Sequence, residues 1–121
     1  MIGIGTDLVE IERFRTALVR TPGLRERIFT AAEREYADAR GDPTERYAVR
    51  FAAKEAVMKA LGVGLGEIEM RDIEVARADS GAPSIVLHGS AAALAHERGV
   101  TRWLLTMTHT DRMAQAIAVA L

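Results

Sequence analysis

Glycines and branched residues alternate through Ile2-Gly3-Ile4-Gly5-Thr6-Asp7-Leu8-Val9, and this period of two predicts a strand that carries Asp7 at the end of its apolar run. From Glu10 the period lengthens. Ile11, Phe14 and Leu18 recur at helical spacing as far as Val19, and Pro22-Gly23 stops that helix. Thr30 and Glu33 form a capping-box pattern that starts a second helix, closed by Gly41. Asp42, Pro43 and Glu45 repeat the pattern as N-cap, first helical residue and box partner, and predict the longest helix of the chain, running to Leu61. The glycine-rich run Gly62-Val63-Gly64-Leu65-Gly66 ends it.

Beyond residue 67 the chain returns to a period of two. Ile68 and Met70 alternate with charged residues, and Ile73 and Val75 resume one residue out of phase, which predicts a bulge near Arg71-Asp72. Asp79-Ser80-Gly81-Ala82-Pro83 is turn chemistry, so Ser84 to His88 reads as the returning strand of a hairpin. Ser90 predicts the cap of a short alanine-rich helix ending at Gly99. Two strands follow, Trp103 to His109 and Met113 to Leu121, joined by a turn at Thr110-Asp111-Arg112. On the last strand Ile117, Val119 and Leu121 share one face, while Ala114, Ala116, Ala118 and Ala120 make the other small enough for close approach by a neighbouring layer or subunit.

Composition narrows what this pattern can be. With 121 residues, 49% apolar and 27% charged, the chain reads as one ordinary domain spanning residues 1–121. A chain this short buries a modest share of its surface, so self-association is expected. The absence of cysteine excludes disulfides, thiolate metal sites and a cysteine nucleophile, and is compatible with a reducing cytoplasm. No run of the roughly 20 apolar residues needed for a membrane span is present, which points to a soluble protein. The net charge of -1 gives no global attraction to nucleic acid, but Arg13, Arg15, Arg20, Arg25 and Arg27 make a local basic patch suited to an acidic partner.

Candidate chemistry concentrates in two places. Glu55 and Lys59 lie one turn apart on the longest helix, either as a solvated ion pair or as charges bordering a cleft. Asp7 either caps the helix that follows or joins Glu55. Two carboxylates are enough to hold magnesium when substrate phosphate and water supply the remaining ligands. Lys59 would then neutralise phosphate, and the glycines at 62, 64 and 66 would let a nucleotide approach backbone, although their spacing matches neither a dinucleotide fingerprint nor a P-loop. His109 has three open roles at a strand end: phosphate ligand, base or partner of a backbone group. His88 and His96 are read as structural or surface residues. No serine lies in a nucleophile elbow, which argues against covalent catalysis.

Gly3-Ile4-Gly5-Thr6-Asp7-Leu8-Val9-Glu10-Ile11-Glu12-Arg13-Phe14 resembles the opening signature of the holo-acyl-carrier-protein synthases. Arg50-Phe51-Ala52-Ala53-Lys54-Glu55-Ala56 followed by Lys59-Ala60-Leu61-Gly62 resembles the central motif of these phosphopantetheinyl transferases. Ser80-Gly81-Ala82-Pro83 and Thr106-Met107-Thr108-His109-Thr110 fit later segments in order. The resemblance implies an α+β fold, an antiparallel sheet packed with helices, which the order of predicted elements supports independently. It also implies a cytoplasmic homotrimer with active sites between subunits. The implied reaction moves 4′-phosphopantetheine from coenzyme A to a serine of an apo acyl carrier protein for fatty acid biosynthesis, and releases adenosine 3′,5′-bisphosphate. Asp7 and Glu55 would hold Mg2+, Lys59 would contact phosphate, and the base would be Glu55 or a metal-bound water. Arg50, Gly62, Gly64, Gly81, Pro83 and His109 would line the nucleotide pocket, with His109 near the 3′-phosphate. Arg13 would meet the carrier, with Arg20 and Arg25 extending its surface. Two rivals use the same residues: a metal-dependent pyrophosphatase with water as acceptor, and a coenzyme A-binding module without turnover.

Overall fold

The computed structural model describes residues 1–64 and 66–121. Its order is β1 (Gly3–Glu10), α1 (Ile11–Arg20), α2 (Leu24–Ile28), α3 (Ala31–Asp38), α4 (Thr44–Leu61), a 3-10 turn at Met70–Asp72, β2 (Ile73–Arg77), β3 (Pro83–Leu87), α5 (Gly89–Glu97), β4 (Trp103–His109) and β5 (Met113–Ala120). The strands form an antiparallel three-stranded sheet in the order β1-β5-β4 and a separate antiparallel pair, β2-β3. The fold is therefore α+β, as the pattern predicts.

Helix α4 is the centre of the molecule. Tyr47, Ala48, Ala52, Ala53, Ala56 and Val57 are fully buried, because the three-stranded sheet covers one side of the helix and other elements cover the rest. The alanine face of β5 meets this helix, so the close approach it permits is to a layer of the same chain. Glycine does the same for β1. A Cβ on Gly3 would stand 2.0 Å from the carbonyl oxygen of Ala60, and one on Gly5 would stand 2.0 Å from that of Ala56. Strand and helix thus lie backbone to backbone. A two-residue step along a strand, about 6.7 Å, matches a four-residue step along a helix, about 6 Å, so β1 runs down α4 one turn per pair of residues. Period two then turns Asp7 to the helix side as well, one step beyond Gly5.

Several local expectations change. The capping box at Thr30 and Glu33 is present, with the Glu33 N–H donating to Thr30 Oγ1 at 3.2 Å and the Thr30 N–H donating to Glu33 Oε1 at 2.9 Å. The start of α4 is shifted by one residue: Pro43 is the N-cap, and Asp42 accepts the Thr44 N–H from outside the helix while also pairing with Arg15. Glu45 makes no box; it pairs with Arg40 and His109. The proposed bulge is the 3-10 turn, which shifts the phase of the apolar residues by winding the chain rather than by widening a ladder. Ser90 does not cap α5 with its own side chain. Asp72 reaches across, and its Oδ2 accepts both the Ser90 N–H at 3.0 Å and its hydroxyl at 2.9 Å. Gly62 ends α4 at φ 73°, with the Val63 N–H closing back to Met58. Leu65, part of the glycine-rich run, lies outside the described residues. Helix α2 has no sequence counterpart, since its five residues are too few to express a period.

Candidate active site

Asp7 and Lys59 meet where β1 crosses α4. Lys59 Nζ donates to Asp7 Oδ1 at 3.0 Å and to the Thr6 carbonyl at 2.9 Å. The lysine therefore pairs with the strand acid, not with Glu55 one turn earlier on its own helix. Asp7 is the more sheltered partner, its side chain 17% exposed against 52% for Lys59. Glu55 sits close enough to feel both: its carboxyl is pushed above the usual carboxylate range, first by partial burial, then by the negative charge of Asp7, with Lys59 opposing. An acid whose ionisation is opposed by a neighbouring carboxylate makes a site that gains from a cation. Among the described residues no cluster of three or more His, Asp or Glu side chains is placed to hold a metal. Asp7 and Glu55 therefore fit only an ion that is content with two carboxylates and takes its remaining oxygens from substrate and water, as magnesium does.

A pocket of about 800 Å3 opens beside these acids. Phe14, Phe51, Ile28, Ile68 and Met70 give it an apolar wall, and Asp7, Glu55 and Arg13 stand at its polar side. The Phe14 and Phe51 rings meet at a tilt of 34°, 4.9 Å between centroids, and join α1 to α4. Sequence reasoning missed the Ile68–Met70 wall, because a segment about 60 residues from Asp7 reaches it only through the tertiary fold.

The expected nucleotide residues lie elsewhere on the chain. None of Arg50, Gly62, Gly64, Gly81, Pro83 or His109 lines this pocket. Arg50 leaves α4 on another face, 4% exposed, with its guanidinium 4.4 Å from the centre of the Tyr36 ring, which Arg46 and Arg77 also flank. Its Nε has no hydrogen-bond partner among the described residues. His109 Nε2 stands 3.3 Å from Glu45 at the start of α4. Gly81 turns the β2-β3 hairpin at φ 87°, and Pro83 opens β3. Of the basic patch, Arg13 is exposed at the pocket, Arg20 is exposed at the end of α1, and Arg25 is engaged with Glu26 and Asp38 and lies over Tyr47. His88 bonds Glu74, and His96 is exposed on α5.

A sequence model of the 4′-phosphopantetheinyl transferase superfamily matches residues 3–120. Holo-[acyl-carrier-protein] synthase of Moorella thermoacetica is 44% identical over 119 residues, covering 98% of this chain and 93% of the relative. That of Desulforudis audaxviator is 47% identical over 121 residues, covering 99% and 92%. Among solved structures, the holo-[acyl-carrier-protein] synthase of Neisseria meningitidis superposes with a TM-score of 0.91 at 31% identity, covering 100% of this chain and 98% of the other. The Helicobacter pylori synthase in complex with coenzyme A gives 0.85 at 28% identity, covering 98% and 99%. Near-complete coverage in sequence and in shape, together with the Asp7–Glu55–Lys59 constellation, leaves one assignment: this chain belongs to the 4′-phosphopantetheinyl transferase superfamily, among its holo-acyl-carrier-protein synthases.

Proposed function

We propose that the chain transfers 4′-phosphopantetheine from coenzyme A to a serine of an apo acyl carrier protein, with Mg2+, releasing adenosine 3′,5′-bisphosphate in the cytoplasm for fatty acid biosynthesis. The observation that carries this reading is the neighbouring pair of acids, Asp7 and Glu55, with Lys59 between strand and helix. With a divalent cation between the acids, such a group would bind an anionic pyrophosphate that the carboxylates alone would repel. When bound, the metal would lower the charge of the pyrophosphate and of the leaving phosphate. Lys59 has a flexible, half-exposed side chain, so its ammonium can turn from Asp7 to a phosphate oxygen as the substrate arrives. Glu55, with its raised pKa, is suited to accept the proton of the carrier's serine hydroxyl. The apolar pocket gives the phosphopantetheine arm a water-poor lodging next to the bond that breaks. Arg13 at the pocket, with Arg20 and Arg25 beyond it, offers positive charge to an acidic carrier.

The residues expected at the nucleotide do not line the pocket beside Asp7 and Glu55 in one chain, and this supports a homotrimer with shared sites. The outer face of the β1-β5-β4 sheet is apolar and uncovered: Ile4 pairs with Val119 and Val119 with Leu104, and Ile4 and Leu104 are 59% and 50% exposed. Packing that face against a second copy would also offer the Arg50 and His109 region of one chain to the Asp7–Glu55 pair of the next. Arg50, Gly62, Gly64, Gly81, Pro83 and His109 are then the nucleotide side of the site. The test is Asp7→Ala and Glu55→Gln: each is expected to lower transfer at least about 1000-fold with an unchanged circular dichroism spectrum. Full transfer by either variant in magnesium would remove the assignment. Loss of coenzyme A without carrier would favour a pyrophosphatase.

A further inference from the structure

Lys54 precedes Glu55 in α4, and at about 100° per residue the two side chains leave the helix on different faces. Glu55 turns to Asp7. Lys54 turns inward and is fully buried, an unusual position for an ammonium. It donates to Glu33 Oε1 at 2.7 Å, to the Met70 carbonyl at 3.2 Å and to the Ile73 carbonyl. Glu33, 2% exposed, has its own additional partners: Oε1 accepts the Thr30 N–H at 2.9 Å and Oε2 accepts the Val75 N–H at 2.9 Å. One buried ion pair thus joins the start of α3, the middle of α4 and the backbone from Met70 to Val75.

Stability alone does not explain such a pair, because apolar residues of the same volume usually serve a core as well or better. Its partners indicate a different use. Met70 and Ile73 bracket the 3-10 turn, and the segment from residue 66 to the start of β2 has only a bridge at Ile68 and that single turn of its own; its other ties include Glu69 to Ser90 and Arg71 to the Glu26 carbonyl, neither of which reaches α4. Ile68, Glu69 and Met70 from that segment form one wall of the 800 Å3 pocket, with Asp7 and Glu55 on another. Lys54 is one residue from Glu55 on a rigid helix and holds the carbonyl of the wall residue Met70. This ammonium is therefore a direct polar tie between the wall and the helix that carries Glu55.

We infer that Lys54, held by Glu33, is a positioning residue that fixes the Ile68–Met70 wall relative to Glu55 and so sets the width of the pocket for the phosphopantetheine arm. The inference rests on the functional reading above. It touches no reacting atom, so it acts on binding of the arm and leaves the chemical step alone.

The test is the double variant Lys54→Met/Glu33→Leu, which removes both charges together and leaves neither orphaned. Its KM for coenzyme A is expected to rise about ten-fold while kcat stays within about two-fold, the signature of lost binding common to ground and transition states. Inhibition by adenosine 3′,5′-bisphosphate, which lacks the arm, is expected to stay within about two-fold of wild type, because a loosened wall does not touch the nucleotide end. Wild-type KM in a folded double variant would overturn the inference. So would a loss confined to kcat, or an equal weakening of coenzyme A and the bisphosphate. If the double variant does not fold, Lys54→Arg keeps the charge but forces a planar fork among three fixed acceptors. A raised coenzyme A KM with unchanged bisphosphate inhibition supports the wall, and an unchanged KM rejects it. Wild-type protein in the same assay separates the two readings, since absence of any transfer there would sink the function itself.

Discussion

Glu55 faces two opposite charges and a partial loss of water, and the balance raises its pKa. The sign of the consequence is definite. Glu55 is protonated more readily than an ordinary carboxyl, and in that form it neither holds a cation nor accepts a proton. Transfer is expected to fall as pH drops through this raised value, at a pH where an exposed glutamate would still be ionised. Metal and proton compete for the same oxygens, so more magnesium is expected to move the acid limb of the kcat/KM profile to lower pH. A profile that ignores magnesium concentration would show that Glu55 is not a metal ligand. Asp7, Glu55 and Lys59 were legible in the sequence as a group because their motifs are distinctive. Lys59's choice of Asp7 over Glu55 was not, because helical spacing makes Glu55 available without saying where a strand will cross. Lys54 was legible only as a member of a motif; its burial follows from the arrival of α3 and β2 from distant parts of the chain.

Strand β1 and helix α4 place the acids by direct backbone contact, and Gly3 and Gly5 are what allow it. A methyl group at Gly5 would meet the Ala56 carbonyl oxygen at 2.0 Å and the Ala60 nitrogen at 2.8 Å, both backbone atoms that no rotamer change can move. Gly5→Ala is therefore expected to cost about 2–3 kcal/mol or more in urea unfolding, as overpacking against backbone does. Transfer should fall in the fraction that remains folded, because Asp7 is carried on the displaced strand. Wild-type stability in this variant would show that the strand can slide without harm. The alternation of glycine in β1 and alanine in β5 made these elements readable, and their small faces anticipated close packing. The readings that failed did so where one residue type serves two geometries. An Asp-Pro pair can place the helix start at either residue, and a phase slip of one can come from a bulge or from a single 3-10 turn. The carbonyl-end glycine Gly62 was legible because only a left-handed residue closes that motif.

At the scale of the molecule, an apolar sheet face lies uncovered and the residues expected at the nucleotide lie away from the acids. The order of elements was legible, since each announces its own period. Which residues share a pocket was not, because Arg50 and Glu55 are close in sequence yet leave α4 on different faces. A shared site makes a sharp expectation. Glu55→Gln and His109→Ala chains, each weak alone, should recover about a quarter of wild-type activity when unfolded and refolded together in equal amounts, the fraction of interfaces that join two intact halves under random assembly. Recovery no greater than the sum of the separate variants would place both residues in one chain's site. The most direct measurement of the central claim is intact-mass spectrometry of an apo acyl carrier protein incubated with this protein, coenzyme A and magnesium. The account predicts a gain of about 340 Da, one phosphopantetheine delivered by phosphoryl transfer, abolished by EDTA and by Glu55→Gln. An unmodified carrier with wild-type protein, or an undiminished gain with Glu55→Gln in place, would contradict it.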